Sequence, residues 1–220
     1  MTNNNLKPVI PLLVALSLLF TLLSCATGIG LYDYSDNSIP TDSDTAMLPE
    51  IPEVPELIMG EGLMEAQILA DYLLKINADV EEDFIFSLAQ YYICESAVEG
   101  VNHDVAFAQM CLETGFLKYG NLVTAEMNNF CGLGAIGPEE PGLSFPDVLT
   151  GVQAHIQHLK AYASTEPLTQ ELVDPRYRYL NPGSSPKIDG LSGTWAADKQ
   201  YAEKIKRILE MLYQFSVKMD

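Results

Sequence analysis

Basic residues are scarce in this chain: 12 Lys and Arg stand against 30 Asp and Glu in 220 residues, a formal net charge of −18. So acidic a surface repels phosphate backbones and excludes nucleic acid as a natural partner. Histidine is sparser still, with three in all. His155 and His158 share a helix face at i, i+3 spacing, but no third ligand follows at a motif distance and His103 stands apart, so no metal or other cofactor is expected. Tryptophan occurs once, at Trp195, as a sugar-stacking platform or as core. There is no internal repeat and no sign of a second folded domain.

The chain has one long apolar run, Val9 to Leu23, after a start whose single charge is Lys7. It falls short of the roughly 20 residues that cross a bilayer core as a helix. It suits the apolar region of a secretion signal, and it ends in Leu22-Leu23-Ser24-Cys25, the kind of site a lipoprotein signal peptidase accepts. Residues 1–24 are therefore expected as a signal peptide and Cys25 as the lipidated first residue. Acyl chains contribute about 0.8 kcal/mol per buried CH₂, enough for several to anchor the chain to a membrane. Ala26, rather than aspartate, follows the cysteine. That points to the periplasmic face of the outer membrane in a two-membrane bacterium, or the outer face of the plasma membrane in a single-membrane one.

Without the signal, 11 basic residues face 30 acidic ones. Cys94, Cys111 and Cys131 remain, an odd number that permits at most one disulfide. An exported location allows a bridge, while apolar neighbours such as Met110 and Phe130 suit buried thiols equally. Residues 25–58, rich in Ser, Asp and Thr and then in Pro49, Pro52 and Pro55, are expected as an extended tether. Residues 59–220, about 160 in number, suit one domain with a sizeable core.

That domain reads as mainly α. Apolar residues recur at helical spacing from Gly62 to Ile76, from Glu82 to Glu99 with Gly100 as terminator, and from an Asn102 cap to about Tyr119. Helices are also expected from Pro146, at the first helical position, to about Ser164, and from about Asp198 to Val217. Between them, residues 120–145 and 165–193 are broken by Gly and Pro. The first suits a loop or small hairpin lobe, and long loops on a helical scaffold are where binding groups gather.

Glu113 is the most informative residue. It lies in Ala108-Gln109-Met110-Cys111-Leu112-Glu113-Thr114-Gly115, a stretch otherwise free of charge. Desolvation by Leu112, Met110 and Phe116 would raise its pKa, as a general acid requires. A surface glutamate on an amphipathic helix is the alternative. The amides of Asn128 and Asn129, before the Gly132 turn, suit either a carboxylate or an amino sugar, or simply cap a turn. Tyr201, near the start of the last helix, reaches a cleft or belongs to the core. The Asp174-Pro175-Arg176 turn is open between a place near the cleft and plain capping and ion pairing.

The order Leu112-Glu113-Thr114-Gly115-Phe116, then Asn128-Asn129-Phe130-Cys131-Gly132, then Asp198 to Ile205 resembles the bacterial glucosaminidase-domain family of peptidoglycan hydrolases (glycoside hydrolase family 73). The resemblance spans about residues 82–213. It implies a lysozyme-like helical fold in which a helical lobe and a small irregular or hairpin lobe form a cleft. It also implies hydrolysis of the β-1,4 bond after N-acetylglucosamine. Glu113 matches the family's general acid, Tyr201 its cleft tyrosine, and Asn128 and Asn129 its paired-asparagine turn, with Trp195 as a candidate sugar contact. Two positions depart from the pattern: Cys131 stands where an aromatic is common and Thr114 where serine is commoner. No second carboxylate is matched; Glu126, Glu139, Glu140 and Asp147 are the nearby acids, and the substrate's own N-acetyl group is an alternative nucleophile. Peptidoglycan is the expected partner. Lytic transglycosylase, amidase and non-catalytic wall-binding lipoprotein are the competing readings.

Overall fold

A computed structural model of the chain describes residues 50–120 and 122–219. The expected signal peptide, the expected lipidation site Cys25 and the expected tether up to residue 49 lie outside them. Five helices carry the domain: α1 (Ala66–Ile76), α2 (Glu82–Glu99), α3 (His103–Thr114), α4 (Val148–Ala163) and α5 (Tyr201–Ser216). A two-stranded antiparallel hairpin, β1 (Ala135–Gly137) and β2 (Glu140–Pro141), forms the small lobe between α3 and α4. This is a lysozyme-like, mainly α fold, as expected. Among the described residues no helix is long and apolar enough to cross a membrane.

α3 is the central element. Every residue from His103 to Cys111 is buried, which marks a helix enclosed on all sides. Asn102 caps it, its side chain accepting from the Asp104 and Val105 N–H groups at 3.0 and 3.2 Å. Asp104, fully buried, accepts from the Leu63 and Met64 amides and from the Tyr213 hydroxyl, pinning α1 and α5 to the start of α3. At the other end Gly115 takes the left-handed conformation, φ 59°. Phe116 N–H then bonds the Cys111 carbonyl at 2.7 Å and Gly115 N–H that of Leu112 at 3.4 Å, a Schellman closure. The helix therefore stops five residues before the expected Tyr119. Phe116, Leu117 and Tyr119 follow with positive φ in a tight reversal.

α1 and α2 pack together, α2 lies on α4, and α3 on α5. Leu69, Leu73, Leu88, Phe107, Ile156 and Leu209 meet in one core, each burial contributing about 1.5–3 kcal/mol. A satellite cluster of Cys131, Leu133, Phe145 and Ala154 roots the small lobe on α4. Gly151 in α4 permits that docking, because a Cβ there would lie 1.9 Å from the Asn128 carbonyl oxygen.

Other boundaries also differ from expectation, and α5 begins at Tyr201 rather than near Asp198. Helix α1 begins at Ala66 rather than Gly62, since the Leu63 and Met64 amides serve Asp104 instead. α4 begins after Pro146, which precedes the cap Asp147, and the Asp147 carboxylate accepts from Thr150 N–H at 2.8 Å. The tether ends earlier than 58. Ile58 is fully buried, its N–H bonds the Pro186 carbonyl at 3.1 Å, and its carbonyl accepts from Asn102 N–H at 2.9 Å. Single bridges of Leu57 with Lys187 and Met59 with Val101 complete the strip. One buried isoleucine among prolines is too short a pattern to read as a core element.

Candidate active site

Glu113 sits in the last turn of α3, half-buried, where the Schellman closure turns the chain away and leaves its carboxylate at the lobe boundary. Its Oε1 accepts a hydrogen bond from the Trp195 indole Nε1–H at 2.9 Å and another from the Tyr201 hydroxyl. Its Oε2 faces the small lobe at Gly132, where an added Cβ would lie 3.6 Å away. One oxygen is thus held and the other looks across a gap kept open by a residue with no side chain. Burial pushes the Glu113 carboxyl above the ordinary carboxylate range, against the opposing pull of the Tyr201 and Trp195 bonds.

Tyr201, the first residue of α5, is buried, and its hydroxyl is turned onto Glu113 rather than into open cleft. Burial first, and the adjoining Glu113 charge second, hold this phenol far above its ordinary pKa, so it stays a donor. Behind it runs a chain of buried polar groups. Gln109 Nε2 donates to the Tyr201 hydroxyl at 2.9 Å, His155 Nε2 lies 3.0 Å from Gln109 Oε1, and the Tyr92 hydroxyl lies 2.8 Å from His155 Nδ1. Burial, with His158 adding to it, lowers the His155 pKa to about 3, so the ring is neutral. With the Gln109 amide in this orientation, one arrangement of protons satisfies the series. Tyr92 donates to Nδ1, Nε2–H donates to Gln109, and each later link donates toward Glu113.

The two histidines of α4 are therefore engaged separately. His158 Nδ1 pairs with Asp174 Oδ2 at 2.7 Å, and among the described residues no group of three or more His, Cys, Asp or Glu is placed to hold a metal ion. Neither asparagine side chain makes a hydrogen bond to Glu113. Asn129 is buried, its amide donates to the Leu133 and Leu143 carbonyls at 2.9 Å each, and its oxygen accepts from Leu133 N–H at 2.9 Å. Asn128, at φ 49°, donates to the Phe145 carbonyl at 3.2 Å. Together they shape the turn that carries Gly132, and Asn129 also borders the cleft.

The cleft has two arms that meet at Gly132 and Ala135. One, about 140 Å³, lies over Glu113 and is lined by Thr114, Tyr119, Leu122, Val123 and Asn129. The other, about 380 Å³, is bordered by Trp195, Tyr162, Tyr179, Arg176 and the 131–136 loop. Trp195, half-buried, packs on His158 at 5.1 Å and on Tyr162 at 5.4 Å between ring centroids. Glu113 is the one carboxylate lining either arm among the described residues. Glu126, Glu139 and Glu140 are exposed, and Asp147 is occupied as the cap of α4. Among the described residues the three cysteines are free: Cys111 and Cys131 are buried and Cys94 is exposed. Cys131 packs beneath Trp195 in the satellite cluster.

Sequence reasoning missed Gln109, His155 and Tyr92 as members of the site. The signal available was a glutamine one helical turn before Glu113, on the same face of α3.

A family model described as Glucosaminidase, mannosyl-glycoprotein endo-beta-N-acetylglucosaminidase, matches residues 89–214, a span that contains Glu113, both cleft arms and Tyr201. A protein of Borreliella burgdorferi (strain ATCC 35210 / DSM 4680 / CIP 102532 / B31), described as uncharacterized, is 43% identical over 163 residues, 74% of this chain and 79% of that one. No solved structure matches the chain. On the family match and that identity, the chain belongs to the glucosaminidase family of glycosidases.

Proposed function

We propose that this chain is an endo-β-N-acetylglucosaminidase that cuts the β-1,4 bond after N-acetylglucosamine in peptidoglycan strands, with Glu113 as its general acid. The observation that carries this reading is the asymmetry of the Glu113 carboxyl. Oε1 receives two donors while Oε2 faces the cleft. A proton on Oε2 passes to the leaving glycosidic oxygen as the C–O bond breaks, and burial, by raising the pKa, favours the protonated form. Tyr201 and Trp195 act through Glu113 by holding Oε1. With no second carboxylate lining the cleft among the described residues, the substrate's own acetamido oxygen attacks the anomeric carbon, and water then opens the cyclic intermediate.

The same lone carboxylate favours one rival, a lytic transglycosylase, in which the muramyl 6-hydroxyl replaces water. Mass spectrometry of fragments released from purified peptidoglycan separates the two. Hydrolysis adds one water and leaves reducing N-acetylglucosamine ends; transglycosylation leaves anhydro-muramyl ends. Absence of any fragment, with binding retained, favours a wall-binding lipoprotein.

Export and anchoring through Cys25 belong to the same proposal, resting on the Leu22-Leu23-Ser24-Cys25 sequence. Metabolic labelling with a fatty acid tests it: label enters the wild-type chain and not the Cys25→Ser chain.

A further inference from the structure

The two arms of the cleft differ in chemistry. The arm over Glu113 is walled largely by Leu122, Val123, Ala135 and Tyr119, neutral side chains suited to an uncharged acetamido sugar. The second arm holds Arg176 among Tyr162, Tyr179 and Trp195, and among the described residues no Asp or Glu lines it. In a chain with 30 acidic residues and 12 basic ones, an arm that is free of carboxylates and contains an arginine is a local reversal of sign. The long-range field of the protein opposes anions, but the Debye length of about 8 Å at physiological salt leaves the nearest charge in control.

Arg176 is not committed elsewhere. It is half-buried, and among the described residues no carboxylate oxygen lies within the 4.0 Å of an ion pair with its guanidinium. The nearest acid in sequence, Asp174, has both oxygens engaged: Oδ2 with His158 Nδ1 at 2.7 Å and Oδ1 with the Arg176 backbone N–H at 2.8 Å. That backbone bond fixes the turn from which the Arg176 side chain leaves. Its Cζ lies 5.7 Å from the centre of the Tyr179 ring, a contact that leaves N–H groups free for a planar acceptor. Trp195 joins this arm to the reacting carboxyl, because the indole that lines it also donates to Glu113.

We propose that the second arm is the subsite for the carboxylate-bearing sugar of the strand, the muramyl residue, and that Arg176 reads its carboxylate. The proposal rests on the glycan-cleaving reading of the cleft given above. Tyr162, Tyr179 and Trp195 supply faces for a pyranose ring, and Arg176 distinguishes a lactyl-bearing sugar from a neutral one. Arg176 is thus a specificity residue beside the bond rather than a catalytic one. Two sources offer the same carboxylate chemistry: the lactyl group itself in strands stripped of peptide, and the carboxylates of the stem peptide where it is attached.

The test reads binding without turnover. Trp195, the chain's single tryptophan, lines the arm and reports occupancy by fluorescence. Full-length Glu113→Gln chain is titrated with glycan strands stripped of stem peptide, and with the same strands after conversion of their lactyl carboxylates to methylamides. Stem-bearing strands are titrated with free and with amidated stem carboxylates. The expected result is about tenfold tighter binding of a carboxylate form over its amide, the size of one charge-assisted hydrogen bond. Adding Arg176→Gln erases that preference while leaving the affinity for amidated strands unchanged, and Arg176→Lys retains part of it. Arg207→Gln changes nothing, because Arg207 is exposed on α5 and lines neither arm. A preference confined to stripped strands identifies the lactyl group as the source, and one confined to stem-bearing strands identifies the peptide; either supports the subsite. Equal binding of carboxylate and amide forms, or equal losses on both forms from Arg176→Gln, overturns it. Binding of this kind by a wild-type chain that releases no fragments overturns the glycosidase reading alone; normal cleavage without the preference overturns the subsite alone.

Discussion

The Trp195 indole and the Glu113 carboxylate, 82 positions apart in sequence, are joined by a 2.9 Å hydrogen bond that ties the irregular 165–200 segment to the end of the central helix. The Tyr201 hydroxyl reaches the same oxygen from the start of α5. Three elements therefore converge on one atom, Oε1, and leave its twin facing the cleft at Gly132.

Replacing Tyr201 by Phe removes a donor that pulls the Glu113 pKa down. The carboxyl then titrates at higher pH, and an acid that must be protonated stays active further into the alkaline range. The basic limb of the kcat/KM profile is expected to move up in pH. Loss of one hydrogen bond to a charged group costs about 1.5–3 kcal/mol, or roughly 10- to 100-fold in rate if it holds in the transition state. A pH–rate profile on soluble glycan checks both, and an unmoved basic limb contradicts the assigned role.

His155 links pH to stability. Its folded pKa, about 3, lies below the ordinary 6.5, so below 6.5 the unfolded chain binds a proton that the folded chain refuses. Its contribution is complete above pH 6.5 and declines as pH falls toward 3, by at most about 1.4 kcal/mol per pH unit. Urea unfolding at pH 7.5, 6 and 5 is expected to show a steeper loss for wild type than for His155→Gln. Parallel curves contradict a buried neutral ring.

Lys160 and Glu99 form a buried ion pair at 2.7 Å. Burial alone would raise the Glu99 carboxyl, yet the Lys160 ammonium and the Thr169 and Gln170 amides together hold it below its ordinary value. Lys160→Met strands that carboxylate and is expected to cost about 3–5 kcal/mol in urea unfolding. Changing Glu99 to Leu as well recovers part of the loss, since no charge is left unpaired. A single variant within about 0.5 kcal/mol of wild type contradicts the burial of the pair.

Of the three cysteines in the described residues, Cys94 is exposed, while burial pushes the Cys111 and Cys131 thiols up. A thiol reagent at pH 8 is expected to modify Cys94 in the folded chain and the other two only on unfolding. Rapid modification of Cys131 in the folded state contradicts its place beneath Trp195.

Sequence legibility followed the range of the interactions. α2 was readable to the residue because Gly100 terminates it, and the Asn102 cap announces α3 through bonds two and three positions away. Glu113 was visible as a single charge in an apolar stretch. The chain of Tyr92, His155, Gln109 and Tyr201 was not, because its links span 46 to 92 positions and each residue alone suits a helix interior. The asparagine pair was found, but its engagement with the Leu133, Leu143 and Phe145 carbonyls depends on how the hairpin lobe folds back. Ile58 escaped because its partners, Pro186 and Asn102, lie in distant segments.

The central claim is that Glu113 breaks the glycan bond by giving up a proton from Oε2. Purified peptidoglycan digested by the full-length chain and, in parallel, by its Glu113→Gln variant tests this most directly. The amide keeps the shape of the side chain and has no acidic proton. Fragments with reducing N-acetylglucosamine ends are expected from wild type, with a rate at least about 10²-fold lower in the variant. Fragment release by Glu113→Gln at the wild-type rate would contradict the account.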